Sequence, residues 1–310
     1  MKLFSGTSNP SLTKKVSDLL KIPLSKTEVK NFDNSEVRVR ILDDVTDQAC
    51  VIIQTTSNPT NSSLMELFFY CDGLKRGEAK KIIGVIPYFG YARQNIQHRE
   101  GEAVSVNVVI RFLETVGFDE ICAFDIHDEG TGGIFSIPFH NLSALPSLAT
   151  SVKDYLTKRK VHKENIVVAS PDQGGVERAR IFGEAFFGND NFSLVVVEKK
   201  RDLENIHKSH TVDLHGEVLG KTVILVDDIV TSGGTLLNAA SLCLKKGAKS
   251  VLAVIVHPDF SKKAPKKIQQ SALQAFFTTD TINLDPSKKF DKLKVVSIAP
   301  LIAGELKELK

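Results

Sequence analysis

Two adjacent carboxylates and a glycine-rich loop carry the first chemical signal. The apolar run 223–226 ends in Asp227 and Asp228, and Thr231-Ser232-Gly233-Gly234-Thr235 follows shortly after. Gly233 and Gly234 let the backbone come close to an anion. The loop amides, the hydroxyls and the start of the ensuing helix supply donors and a favourable dipole. No G-x-x-x-x-G-K-[ST] exists in the chain and no G-x-G-x-x-G follows an apolar run, so the loop suits a single phosphate. Paired carboxylates accept hydrogen bonds from vicinal hydroxyls. A sugar phosphate carries both groups. The plainer alternative has Thr231 or Ser232 capping the helix, with the two aspartates exposed.

Such a loop needs a strand before it and a helix after it, and the chain repeats that pattern. The stretches KLFSG, ACVIIQTT, KKIIGVIPYF, EICAFDIH, NIVVASPD, SLVVVEKK, TVILVDD and SVLAVIVHP are nearly continuous apolar runs, as expected of strands covered on both faces. Helix-like stretches alternate with them. One is SSLMELFFYCDGLKRG, which Gly77 can close. Alternation of this kind predicts an α/β protein with parallel sheets of the doubly wound type. In such sheets ligands sit beyond the carboxyl ends of the strands, where Asp227 and Asp228 are placed. The segment HNLSALPS near residues 140–147 reads as a boundary, since strand–helix alternation restarts after it. The expected organisation is two similar domains, 1–142 and 143–310, with the last helix packing back on the first. The basic segment SKKAPKKIQQ reads as a solvated surface.

At 310 residues the chain is about the length of two ordinary domains. A net charge of +3 is too small to indicate nucleic acid or an anionic membrane as partner. Cys50, Cys71, Cys122 and Cys243 lie far apart in apolar stretches, which predicts buried free thiols rather than disulfides or a zinc site. No apolar run is long enough to span a bilayer and the start has no signal-like segment, so the expected location is cytoplasmic.

The stretch VILVDDIVTSGGT resembles the phosphoribosyl-diphosphate-binding loop shared by type I phosphoribosyltransferases and ribose-phosphate diphosphokinases. The stretches PYFGYARQN, AFDIHDEG, VASPDQGGVERA and VVEKKRD are similar, in order and spacing, to the diphosphokinases alone. So are SGTSNPSL and TSNPTNSSLMELFFYCDGLKRGEAKKI, and the resemblance spans essentially the whole chain. It implies a two-domain α/β fold, each half a mostly parallel sheet flanked by helices, with the active site in the cleft between the halves. It also implies transfer of the β,γ-diphosphoryl group of ATP to the anomeric hydroxyl of ribose 5-phosphate. The alternatives are a phosphoribosyltransferase and a non-catalytic regulatory paralogue. The first would not need the RQN, DIHDEG and EKKRD elements; the second would typically have lost the loop cations or metal-site residues.

By this resemblance Asp227 and Asp228 hold the ribose hydroxyls, and Thr231, Ser232, Gly233, Gly234 and Thr235 hold the 5-phosphate. The family's usual loop has an aspartate where Thr231 stands; a hydroxyl there donates to phosphate but does not serve as a base. His127 and Asp172 become partners of Mg2+, which keeps waters and takes substrate oxygens. Taken alone, His127 could equally be structural. Lys199 and Arg201 match the cations that close over the transferring group, where charge stabilisation dominates. On composition alone, Lys199, Lys200 and Arg201 would be a solvated strand end. ATP is expected to meet Arg93 and Gln94. Phe32, Asn34 and Glu36 would reach its adenine from a neighbouring subunit of a homo-oligomer, a dimer or a multiple of one. The family commonly has acids at Asn34 and Asn95, and Phe32 could instead be core. The segment after Gln94, with Glu100, Gly101 and Ala103 and no S-R-x-P, is more similar to the archaeal branch. That segment and the LIAGELKELK tail lead to the expectation that ADP inhibits only by competing with ATP.

Overall fold

The computed structural model describes residues 1–201 and 209–308; the side chains of 199–201 and 209–212 lie outside the described residues. The chain forms two compact units. One comprises Met1–Ser143, Thr281–Asn283 and Ser297–Lys310, the other Ala144–Asp280 and Leu284–Val296.

The first unit begins with β1 (Lys2–Ser5), α1 (Pro10–Leu20), β2 (Thr27–Asn31), β3 (Val37–Ile41), β4 (Ala49–Ile53) and α2 (Thr60–Arg76). It continues with β5 (Lys81–Ile86), α3 (Ser105–Val116), β6 (Glu120–Phe124) and β7 (Phe139–Leu142). Its main sheet has the order β1-β4-β5-β6-β7, and every neighbouring pair is parallel. Strands β4, β5 and β6 are buried almost throughout, as their continuous apolar sequences require. Phe4, Ile52, Leu67, Tyr70, Leu74 and Ile110 are among the residues of one core cluster. Strands β2 and β3 form a separate antiparallel hairpin.

The second unit contains α4 (Leu145–Lys158), β8 (Ile166–Ser170), α5 (Val176–Phe187), β9 (Leu194–Arg201) and β10 (Ser209–His215). Then come β11 (Thr222–Ile229), α6 (Gly234–Lys245), β12 (Ser250–His257), α7 (Ala264–Gln270), β13 (Ala275–Thr279) and β14 (Leu293–Val296). Its sheet has the order β10-β9-β8-β11-β12-β13-β14; only the β10–β9 pair is antiparallel. The parallel-sheet architecture expected from the apolar runs is therefore the one observed. The final helix, α8 (Ala299–Glu308), belongs to the first unit and packs on α1.

Gly77 ends α2, though not through a left-handed conformation, since its φ is −84°. A side chain there would place its Cβ 2.6 Å from Val45 Cγ2, so close packing is what excludes one. All four cysteines are free and buried, as anticipated. Burial pushes the thiols of Cys50 and Cys243 up to about 11 and those of Cys71 and Cys122 up to about 12. They stay protonated and unreactive at neutral pH. Among the described residues no helix is long and apolar enough to cross a membrane.

Candidate active site

In the second unit the central strand β11 lies between β8 and β12, parallel to both. Its carboxyl end carries Asp227 and Asp228, and Asp172 follows the carboxyl end of the adjoining β8. Their side chains are enclosed: Asp227 is 16% exposed and Asp228 4%. The alternative with exposed aspartates is thus overturned. A strand whose side chains are covered on both faces draws its last residues into the same packing.

Burial pushes the Asp227 carboxyl well above the usual carboxylate range. The charge of Asp228, its hydrogen bond and the charge of Asp172 push the same way, while Arg178 opposes them. Asp227 Oδ1 also accepts the amide of Asp228 at 2.9 Å. Two enclosed acids, with the charge of a third acting on them, make a site that favours hydroxyl donors. A carboxyl raised in the fold contributes stability that is complete below its unfolded value of about 3.9 and is lost as pH rises through the folded value. Asp227→Asn has no charge to develop. Its melting temperature is therefore expected to exceed wild type at pH 7.5, by about 2–4 °C for each kcal/mol relieved. At about pH 3.5, below the unfolded value, the gap should close. Equal differences at both pH values, in paired thermal melts, would contradict the assignment.

Between β11 and α6 the loop 230–233 is held by the amide of Val230 on His257 O at 3.1 Å and the amide of Ser261 on Thr231 O at 3.0 Å. Gly233 is the residue before the helix and has φ of +78°, a left-handed conformation that favours glycine. The N-cap residue Gly233 has no side chain to cap the helix, and Ser232 Oγ accepts the Gly234 amide at 3.4 Å. Ser232 thus bears out part of the capping alternative, by a long hydrogen bond. A Cβ on Gly234 would meet nothing closer than Ser232 Oγ at 3.7 Å, so the space beside the helix N-terminus is open there. That terminus, flanked by hydroxyls, suits an anion.

Asp172 caps the short turn Gln173–Gly175, its Oδ1 accepting the Gly175 amide at 3.2 Å. One turn into α5, Arg178 places Nη1 3.5 Å from Asp228 Oδ1 and 3.8 Å from Asp227 Oδ1. The sequence reading missed Arg178. Its only signal was a cation close behind the glycines of QGGVER. Strand β9 runs parallel to β8, with Ser170 opposite Val196, so the backbone at Lys199 and Arg201 lies beyond the same end of the sheet. The Lys199 and Arg201 side chains lie outside the described residues.

In the first unit the loops after the adjacent parallel strands β5 and β6 carry the other candidates. Thr60, Tyr88, Tyr91, Arg93 and Gln94 line a cavity of about 250 Å³. Gln94 Oε1 accepts the Ser105 hydroxyl at 2.6 Å, fixing that loop to the start of α3. His127 follows β6, and beside it Asp128 Oδ1 accepts the Gly130 amide at 2.8 Å. Asn95 Nδ2 donates to Asp128 Oδ2 at 2.6 Å, joining the Arg93-Gln94 loop to the His127 loop. Neighbouring strands set the two loops side by side, which a linear reading of RQN and DIHDEG does not reveal.

Phe32, Asn34 and Glu36 form the tip of the β2–β3 hairpin. The Phe32 amide donates to Glu36 O at 2.8 Å, and Asn34 Oδ1 accepts the Glu36 amide at 3.2 Å. Phe32 is 37% exposed, with Lys30 Nζ 5.1 Å from its ring centre and Arg38 at 5.9 Å. It is not core. The hairpin tip is absent from the lining of the Arg93 cavity. Among the described residues no three His, Cys, Asp or Glu side chains are grouped to hold a metal alone. His127 in the first unit and Asp172 in the second are each the kind of group that a hard cation takes one or two of, completing its shell with substrate oxygens and water.

Comparison with known proteins covers both units. Residues 1–117 match the N-terminal domain of ribose phosphate pyrophosphokinase, and residues 140–284 match the phosphoribosyl transferase domain. The chain is 36% identical over 306 residues to the ribose-phosphate pyrophosphokinase of Fusobacterium nucleatum, covering 99% of this chain and 94% of that one. With the Bacillus subtilis ribose-phosphate pyrophosphokinase it shares 36% identity over 303 residues, 98% of this chain and 92% of the other. Among solved structures, phosphoribosylpyrophosphate synthetase from Mycobacterium smegmatis superposes with a TM-score of 0.90 at 31% identity, covering 99% and 98% of the two chains.

Proposed function

Since the chain belongs to the ribose-phosphate pyrophosphokinase family, we propose that the groups described above divide the synthesis of phosphoribosyl diphosphate from ATP and ribose 5-phosphate among them. The reaction moves the β,γ-diphosphoryl group of ATP onto the anomeric hydroxyl and releases AMP. It is a diphosphotransferase reaction that serves nucleotide biosynthesis. The observation that carries the site reading is the enclosed pair Asp227–Asp228, set just before a helix N-terminus whose N-cap residue is Gly233.

Asp227 and Asp228 accept the vicinal hydroxyls of the ribose. The amides and hydroxyls of residues 231–235 hold the 5-phosphate, which fixes the sugar at both ends and aims its anomeric oxygen. Arg93 and Gln94 hold the ATP phosphates and base from the first unit. Phe32, Asn34 and Glu36 meet the adenine of a neighbouring subunit; their exposed hairpin supports a homo-oligomer, a dimer or a multiple of one. Lys199 and Arg201 stabilise the charge that spreads over the transferring phosphoryl oxygens. His127 and Asp172 would each serve as a ligand of Mg2+, and the ion would supply charge neutralisation for the phosphate oxygens of ATP. Four protonated, buried thiols support a reducing, cytoplasmic setting.

The loop at 227–235 would also suit a phosphoribosyltransferase, and products separate the two readings. Offered ATP, Mg2+ and ribose 5-phosphate, the protein is expected to release AMP. Offered phosphoribosyl diphosphate and a purine base, it is expected to form no nucleotide. Nucleotide formation in the second mixture without AMP in the first would overturn the reading.

A further inference from the structure

We infer that Arg178 is a positioning residue for the sugar, holding Asp227 and Asp228 as an ordered, charge-compensated pair of acceptors. The inference rests on the reading of those two carboxylates as the ribose diol site. Its starting point is a packing conflict. Two neighbouring acids enclosed at one strand end repel each other and lose solvation, so the arrangement costs stability unless a cation faces them. Arg178 faces both, and its own side chain is only 15% exposed. Arg180, two residues along α5, shows the contrast: it is 53% exposed and pairs with Glu177 on the surface.

The distances say more than the pairing. Nη1 stands 3.5 and 3.8 Å from the two carboxylate oxygens, beyond the 2.7–2.9 Å of a short charge-assisted bond. At that separation the attraction between opposite charges persists, because Coulomb energy falls only as the inverse of distance. Nη1 also lies 3.5 Å from Gly174 O, so the guanidinium is anchored to the turn that Asp172 caps. Its planar fork can bridge three acceptors in fixed directions, which a lysine ammonium on a flexible stem does less well. Arg178 thereby ties the loop after β8 to the end of β11.

The test is steady-state kinetics on Arg178→Met, with thermal melts to confirm the fold. Losing an orienting partner of this kind costs roughly 10–100-fold, expected here as a raised KM for ribose 5-phosphate. The KM for ATP should stay within about threefold, as should kcat at saturating sugar. Arg178→Lys, which keeps the charge, should recover most of the loss. Should the methionine variant melt below the assay temperature, Arg178→Gln provides the same comparison. A further arm adds Arg178→Met to Asp227→Asn/Asp228→Asn, where it should change sugar affinity no further, because its partners have lost their charge. Unchanged KM for the sugar, equal rises in both KM values, or full additivity with the aspartate changes would each overturn the role. Wild-type protein that turns over ribose 5-phosphate, alongside an indifferent Arg178 variant, would refute the positioning role alone. Wild-type protein that ignores the sugar would refute the diol reading beneath it.

Discussion

Lys199→Ala is expected to lower turnover by about 10²–10³-fold, the usual consequence of removing one donor aimed at developing transition-state charge. The KM values for ATP and ribose 5-phosphate should move far less. An interaction made chiefly in the transition state appears in kcat, whereas uniform binding appears in KM. Lys199 sits near the end of β9, beyond the same sheet end that presents Asp172, Asp227 and Asp228. Diphosphoryl transfer asks for cations around the equatorial oxygens and little covalent help, so loss of a single cation there has a large effect. A variant within threefold of wild-type turnover would remove Lys199 from the chemistry.

The second large effect concerns the carboxylates. Asp227→Asn with Asp228→Asn should weaken ribose 5-phosphate by roughly 10²-fold or more, since hydrogen bonds to charged groups contribute about 1.5–3 kcal/mol each. ATP affinity should change by less than about threefold, because the nucleotide is held from the first unit. Calorimetric titration of the folded double variant with each substrate separates the outcomes. Equal losses for both ligands would point to a shared cation or to a structural role for the pair.

The parallel strands were legible in the sequence for a physical reason. Strands covered on both faces lose the polar alternation and read as unbroken β-branched runs, as in IVVAS and TVILV. The β2–β3 hairpin was not anticipated. Its strands, TEVKN and VRVRI, place charges at alternate positions, and its burial is partial throughout. They carry little of the apolar signal on which the reading depended. Phe32 illustrates the same point, since an aromatic residue in isolation reads equally as core or as an exposed contact.

The 227–235 loop was legible because its residues are local: two acids, two glycines and three hydroxyls within nine positions. Arg178 was not, because its acidic partners are 49 and 50 residues away and only the pairing of β8 with β11 brings them near. The bond from Asn95 to Asp128 was hidden in the same way, across 33 residues and two adjacent strands. Features that depend on sheet order cannot be read from spacing along the chain. The helix N-terminus beside Gly233 shows the complementary case. Its glycines implied a close backbone approach, and in the structure Gly233 takes the left-handed conformation at that end.

The β,γ-diphosphoryl group is expected to move intact from ATP to ribose 5-phosphate. Phosphorus NMR of the protein with ATP, Mg2+ and ribose 5-phosphate follows every phosphorus of that transfer. AMP and phosphoribosyl diphosphate should appear in equal amounts, with neither ADP nor free diphosphate formed ahead of them. ADP as the nucleotide product, or AMP with diphosphate released to water while ribose 5-phosphate stays unchanged, would contradict it.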